Sequence, residues 1–269
     1  MGEEVYKIAG NDAANYEEHL GPLVFEPAAR ALLSHISTFP VHTILETASG
    51  TGRLTKHLRK SFPAAESLVA TDINPDMLEI AQQQLNDPSI TFQLADAQQL
   101  PFPDQSFDLV VNQFGLMFLP DKEAGLKEAA RVLKPGGHFV FTTWDKIPNM
   151  LLFKLLIEDM ILPLFKDEDT TRFHTPFALH DPQLLNTYLE QAGFRNHKVV
   201  FLKFNGRADS PKHIVNSYFL QHPLGRQVKE KAPGAFDKVA KELEQRLTRE
   251  FGAGAFEFEL RALAGIGRK

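Results

Sequence analysis

The chain has 269 residues, 43% of them hydrophobic and 23% charged, and a formal net charge of −5. These values describe one globular domain, alone or with an elaborated cap, and the acidic balance argues against nucleic-acid binding, which needs a clustered basic surface. The absence of cysteine excludes a disulfide framework, a thiolate metal site and a cysteine nucleophile. The opening MGEEVYKIAGNDAANYEEH is polar and acidic, unlike a signal peptide. The most apolar stretch, 150–165, carries Lys154, Glu158 and Asp159 and is too short to span a bilayer. A cytoplasmic protein with no integral membrane segment is therefore expected.

Strand-length apolar runs follow at 43–47 (TILET), 67–71 (SLVAT), 90–94 (ITFQL), 107–112 (FDLVVN) and 138–144 (HFVFTTW), with helical patterns between most of them. Asn74 and Pro75 mark one helix start, as cap and first helical residue. Such alternation predicts a parallel sheet with helices on both faces and ligands beyond the carboxyl ends of its strands. After 147 the pattern changes. Residues 148–166 read as an apolar helix, and 181–192 as a helix opened by Asp181-Pro182 and closed by Gly193. FRNHKVVFLKFNG reads as a strand, and Ser210-Pro211 caps another helix. Phe236, Val239, Ala240, Leu243, Leu247 and Phe251 share one face of a long helix. Phe256, Phe258 and Leu260 then alternate with Glu257, Glu259 and Arg261 as a half-buried strand. With no repeat or low-complexity linker, a single domain is expected. It comprises an N-terminal helical cover (1–40), a ligand-binding core (41–147) and cap helices (148–180 and 206–252) over the sheet edge.

ILETASGTGRLTKHL, 44–58, sets Gly50 and Gly52 between a strand and a helix, where bare backbone lets a nucleotide-like ligand approach. Asp72 closes LVATD 22 residues beyond Gly50, near the spacing of about 20 expected for a carboxylate on ribose hydroxyls. A pyrophosphate-binding G-x-G-x-x-G turn would need its third glycine where Thr55 stands.

A different pattern fits. Glu46-Thr47-Ala48-Ser49-Gly50-Thr51-Gly52 resembles the first motif of class I S-adenosylmethionine-dependent methyltransferases, with Ala48 for the commoner glycine and Ser49 for the commoner cysteine. In order, ATDINPDML is similar to the second-strand acid motif and QLADAQQLPFPDQSFDLVV to the third motif. RVLKPGGHFVFTTW resembles the helix, Pro-Gly-Gly turn and fifth strand, and NQFGLMFLPD resembles the ubiquinone/menaquinone C-methyltransferase (methyltransferase type 11) group. TPFALHDPQLLNTYLEQAGF and SYFLQHPLG fall where that group has cap helices, and FEFELRALAGIGRK falls at the closing antiparallel strand. The resemblance implies a Rossmann-like, doubly wound α/β fold: a mostly parallel seven-stranded sheet with a terminal antiparallel strand and helical cap insertions. It also implies S-adenosylmethionine as cofactor, its amino-acid part over the turn. By resemblance Asp72 holds the ribose, Ile73 meets the adenine, and Asp96 accepts from the adenine amino group. The Ala97 backbone meets the ring, Met77 belongs to the same site, and Gln113 lies beside the cofactor.

The implied activity is methylation, at oxygen or carbon, of a small apolar or aromatic acceptor. A phenol or enol acceptor needs a base, but none stands out among the ten histidines. His174, His180 and His222 read as surface or capping residues, and His35, His42 and His57 belong to the scaffold, so the catalytic residue is unassigned. No histidine–carboxylate spacing suggests a metal site. Tyr16 and Phe25 either cover the cofactor or pack a lead-in helix, and Trp144 either shapes the pocket mouth or joins the core. Phe153, Phe165, Phe173, Phe177, Tyr218 and Phe219 are expected to roof an apolar pocket opening toward Trp144 and Gln113. A NAD(P)-dependent oxidoreductase and a non-catalytic S-adenosylmethionine-binding protein remain open at this point. The oligomeric state is not legible.

Overall fold

A computed structural model describes residues 11–269; the first ten residues of the expected N-terminal cover lie outside them. The strands are β1 (Thr43–Thr47), β2 (Ser67–Asp72), β3 (Ile90–Leu94), β4 (Phe107–Gln113), β5 (Leu133–Trp144), β6 (Arg195–Ala208) and β7 (Phe256–Arg268). They form a seven-stranded sheet of order β3-β2-β1-β4-β5-β7-β6. The first five pair in parallel, whereas β7 runs antiparallel to both β5 and β6.

Ile44, Leu45, Leu68, Ala70, Leu109, Val110 and Val111 are buried on both faces of the sheet. That two-sided burial explains why these strands read as continuous apolar runs rather than alternating ones. Chain order reverses between β1 and β4, so the connections leaving these neighbours diverge and open a crevice at their carboxyl ends. Thr47, Asp72 and Gln113 end the strands that border this crevice.

The covering helices begin where their caps predict. The Asn74 side chain accepts from the Asp76 N–H at 2.9 Å and opens the helix Pro75–Leu85. Asp121 accepts from Ala124 at 2.9 Å and opens Lys122–Val132, and Asp181 accepts from Gln183 at 2.8 Å and opens Pro182–Gln191. Pro233–Phe251 is the long amphipathic helix, burying Val239, Leu243 and Leu247.

Two regions differ from expectation. The apolar stretch after residue 147 is broken into short pieces, Ile147–Asn149, Leu151–Phe153, a π-helical Lys154–Ile161 and Leu162–Phe165. Pro163 accounts for the last of these breaks: it has no N–H for a carbonyl one turn back and sits in the first turn of Leu162–Phe165. A second π-helical segment, Tyr16–Phe25, likewise contains Pro22. The Pro135-Gly136-Gly137 stretch is a bulge inside β5 rather than a turn before it. Pairing shifts from Phe107↔Leu133 to Leu109↔His138, with Gly136 at φ +84°.

The segment Tyr16–Phe25 lies directly on β6. A Cβ added at Gly206 would fall 2.5 Å from the Leu23 carbonyl oxygen and 2.4 Å from the Phe258 ring. Gly206→Ala should therefore push the N-terminal segment off the sheet and lower stability by about 1–3 kcal/mol. Denaturant unfolding of the two proteins checks this; equal midpoints would show that the segment is not seated there.

Candidate active site

The chain leaves β1 through a turn with three left-handed residues: Ala48 at φ 53°, Gly50 at φ 55° and Gly52 at φ 82°. Alanine in this region costs of order 1–2 kcal/mol, so the surroundings must hold it. They do so from the neighbouring strand ends. The Ser49 N–H donates to the Thr71 carbonyl at 2.9 Å, and the Gly50 N–H donates to Asp72 Oδ2 at 2.8 Å. Asp72 Oδ1 accepts from the Asn74 N–H at 2.9 Å. A Cβ added at Gly50 would meet nothing within 4 Å, so this face of the turn is open.

Beneath the turn, Glu46 is buried and its Oε2 accepts from the Thr55 hydroxyl at 2.6 Å. Thr55 stands at the third-glycine position of a dinucleotide fingerprint, fully buried and committed to Glu46. Burial pushes the Glu46 carboxyl up to about 8; the charge of Asp72 adds to this and the Thr55 hydrogen bond opposes it. Burial also raises Asp72, against the backbone N–H groups of Asn74, Gly50 and Ile73 that favour its ionised form.

Past Asp72 the edge turns apolar. Ile73 is 66% exposed and Leu94, which ends β3 opposite Asp72, is 57% exposed. Two large exposed aliphatics thus stand beside a buried carboxylate. Met77 is buried next to it. Asp96 Oδ1 accepts from the Gln98 backbone N–H at 2.8 Å and from its Nε2 at 3.1 Å. Gln98 Oε1 in turn accepts from the Asp121 N–H at 2.8 Å, which fixes the loop carrying Ala97.

On the other side of the turn, Gln113 Nε2 donates to the Phe25 carbonyl at 3.1 Å, while its Oε1 is buried without a partner. Phe114, at φ 57°, stacks on Trp144 with centroids 3.9 Å apart. Phe25 and Phe153 close on Trp144 at 6.3 and 5.8 Å, and Phe153 meets Phe177 at 5.3 Å and Tyr218 at 5.6 Å. Tyr16 stacks on Phe25 at 4.7 Å. Loss of water around its hydroxyl, then the charges of Asp72 and Glu17, hold the Tyr16 phenol well above its ordinary value. Of the six aromatics expected in the roof, Phe153, Phe177 and Tyr218 join this cluster. The others pack within the cap: Phe165 on Phe173 at 4.9 Å, and Phe219 on Phe236 at 5.0 Å.

A polar clamp fixes the N-terminal segment over the turn. Glu17 Oε2 accepts from the Thr51 hydroxyl at 2.5 Å and from Arg53 Nε at 3.0 Å, and Arg53 Nη2 also pairs with Glu17 Oε1. Glu26 bonds His57 Nε2 at 2.7 Å. Sequence reading missed Glu17, Arg53 and Leu94. The histidines sit as expected: His57 is paired in the scaffold, and the His222 side chain caps a helix through the Leu224 N–H. Among the described residues no group of His, Asp or Glu could hold a metal.

Residues 45–141 match the family described as Methyltransferase domain. The UbiE ubiquinone/menaquinone biosynthesis C-methyltransferase of Burkholderia multivorans is 31% identical over 207 residues, 71% of this chain and 85% of that protein. The UbiE protein of Hahella chejuensis is 35% identical over 164 residues, 56% of this chain and 66% of its own length. Among solved structures, phosphoethanolamine N-methyltransferase 2 of Haemonchus contortus, in complex with S-adenosyl-L-methionine, superposes with TM-score 0.59 at 15% identity, over 99% of this chain and 58% of that one. The YcgJ protein of Bacillus subtilis gives TM-score 0.56 at 19% identity, over 89% of this chain and 98% of that one. These structural likenesses bear on the fold, and the sequence identities carry the family. With its open glycine turn, buried strand-end acid and non-phosphate Thr55, the chain belongs to the S-adenosylmethionine-dependent methyltransferases of the UbiE-like type.

Proposed function

We propose that this methyltransferase acts on a small, mainly apolar or aromatic acceptor, at carbon or oxygen. The observation that carries this reading is the aromatic enclosure around Trp144, which shares Gln113, Phe25 and Tyr16 with the edge of the glycine turn. Enclosed apolar sites with few polar groups are the usual form for small ligands. The acidic net charge of −5 fits such an acceptor better than nucleic acid. No described helix is long and apolar enough to cross a membrane, and a cytoplasmic location is part of the proposal. So is the organisation as one domain, with 1–40 as cover, 41–147 as core, and 148–180 and 206–252 as cap.

The turn fits the cofactor. Ala48, Ser49, Gly50, Thr51 and Gly52 would underlie its amino-acid part, since a Cβ at Gly50 meets open space and Ser49 Oγ is buried without a partner. Asp72, at the end of β2, would accept from the ribose hydroxyls. Ile73 and Leu94 would flank the adenine with Met77 behind, and Asp96 and the Ala97 backbone would meet its edge. Glu46 would act from beneath the turn and Gln113 from beside the sulfur. Bound there, S-adenosylmethionine would supply an electrophilic methyl group to a nucleophilic atom of the acceptor, whose proton would pass to solvent. The chain's own task is alignment, which can supply about 7–11 kcal/mol, and exclusion of water by the aromatic walls. Their faces also favour a nearby sulfonium charge.

A nicotinamide-dependent oxidoreductase is not favoured, because the third-glycine position is occupied by buried Thr55. A non-catalytic binding protein would share the turn, and it is separated by transfer of labelled methyl to a panel of phenols, enols and indoles. Asp72→Ala should weaken S-adenosylhomocysteine binding by roughly 1.5–3 kcal/mol in calorimetry; unchanged affinity would move the ribose elsewhere. Gly50→Val should abolish that binding while circular dichroism still reports the helices, and retained affinity would displace the ligand from the turn.

Glu46 gives a pH-dependent outcome. Its folded value of about 8 lies above its ordinary 4.5, so the folded chain keeps a proton that the unfolded chain releases. Stability from this group is complete below about 4.5, declines as pH rises toward 8 and is lost beyond it. Glu46→Gln, neutral at every pH and still an acceptor for Thr55, should flatten the fall in Tm over that window. Parallel melting curves for the two proteins would contradict a protonated Glu46.

A further inference from the structure

The aromatic enclosure is not wholly apolar. Tyr218 is only 5% exposed, and its hydroxyl is buried without a hydrogen-bond partner. Its ring meets Phe153 edge-on at 5.6 Å, and Phe153 in turn meets Trp144 at 5.8 Å. The segment Asn216–Leu220 that carries Tyr218 packs against Tyr16–Phe25, the segment that Glu17 clamps over the glycine turn. That sequence of contacts puts Tyr218 on the side of the enclosure that faces the glycine turn.

A buried hydroxyl left unpaired costs about 1–3 kcal/mol, and phenylalanine would fill the same space without that cost. Retention of the oxygen here therefore needs a partner that arrives from outside the chain. The local backbone points the same way. Tyr218 sits in a π-helical segment, Asn216–Leu220, and the enclosure is also bordered by the π-helical Tyr16–Phe25 and by Phe153, which precedes the π-helical Lys154–Ile161. π-Helical turns are uncommon and concentrate at functional sites. Two of them meet at this aromatic cluster, and the third begins at the residue after Phe153.

We infer that Tyr218 is the acceptor-orienting residue: its hydroxyl donates a hydrogen bond to an oxygen carried by a planar acceptor held among Trp144, Phe153 and Phe177. This rests on the reading that the enclosure is the acceptor site, and it narrows the acceptor to an oxygen-bearing ring such as a phenol or enol. Burial alone holds the Tyr218 phenol far above its ordinary value. It is thus a neutral O–H at working pH, a donor and not the base that removes the acceptor's proton. Gln113 Oε1, also buried and unpaired, supplies an acceptor near the Phe114–Trp144 pair. A donor and an acceptor inside aromatic walls together match a hydroxylated ring better than a hydrocarbon.

Trp144 is the only tryptophan of the chain, so its fluorescence reports this enclosure directly. The test titrates protein saturated with S-adenosylhomocysteine with 4-propylphenol and, separately, with propylbenzene. A purely apolar box prefers the hydrocarbon. An oxygen-reading site should bind the phenol about threefold to tenfold more tightly. Tyr218→Phe should abolish that preference, leave the Kd for S-adenosylhomocysteine unchanged, and melt no lower than wild type in the absence of ligand. Loss of stability would mean that the hydroxyl has a partner within the fold and overturns the inference. So does a phenol preference that survives in Tyr218→Phe, an altered Kd for S-adenosylhomocysteine, or the lack of any phenol preference in wild type. If Trp144 responds to neither compound, the enclosure is not the acceptor site and both readings fall; if it responds to both without discrimination, only the role of Tyr218 fails.

Discussion

The fold is organised around one buried carboxylate. Asp72 takes the Gly50 N–H on one oxygen and the Asn74 N–H on the other. A single side chain thereby joins the turn after β1, the end of β2 and the start of the next helix. Hydrogen bonds from backbone amides to an ionised carboxylate are worth about 1.5–3 kcal/mol each, and here they also offset burial of the charge. The strained Ala48 and the open face at Gly50 depend on this anchor together with the Ser49 N–H bond to the Thr71 carbonyl. The neighbouring acid, Glu46, lies in the same low-dielectric space and is raised partly by Asp72. The two carboxyls are unequal as a result. One is held by backbone donors, and the other receives a lone threonine hydroxyl.

The cover over the turn depends on the same anchor at one remove. Thr51 and Arg53 bond Glu17, drawing the N-terminal segment across the glycine turn. That segment brings Tyr16 and Phe25, and Gln113 ties the Phe25 carbonyl to the end of β4. Gly206 lets the segment rest against β6 at backbone distance. The aromatic cluster around Trp144 and the glycine turn are thus parts of one connected structure.

Much of this was legible in the sequence, for identifiable reasons. Strands β1 and β3 span the residues their apolar runs predict; β1 is buried on both faces, whereas β3 is a half-exposed edge strand. Asn74, Asp181 and Ser210 cap helices because short polar side chains in extended backbone reach the free N–H groups. The glycine turn and Asp72 stood out because left-handed backbone and a strand-end acid leave few residue choices. The clamp on Glu17 did not, since it joins residues 34 positions apart through ordinary surface-type side chains. Nor could sequence separate the roof aromatics: Phe153 faces Trp144 and Phe219 faces Phe236, yet both lie in equally apolar contexts. Missing partners, such as that of Tyr218, are properties of packing and leave no trace in residue type.

The position of β7 constrains how the chain can assemble. Among the described strands β6 pairs only with β7, which is wedged between it and β5. During synthesis at about 5–20 residues per second, β6 emerges seconds ahead of the only strand that can hold it. In that interval its hydrophobic positions, Leu202 and Phe204, have no sheet to join, and the edge of β5 stands open. Phe201 remains 63% exposed even in the finished sheet, flanked along the strand by Lys198 and Lys203, charges that discourage edge-to-edge pairing with other chains. The parallel half can form as it is made, whereas closure of the sheet waits for its last strand.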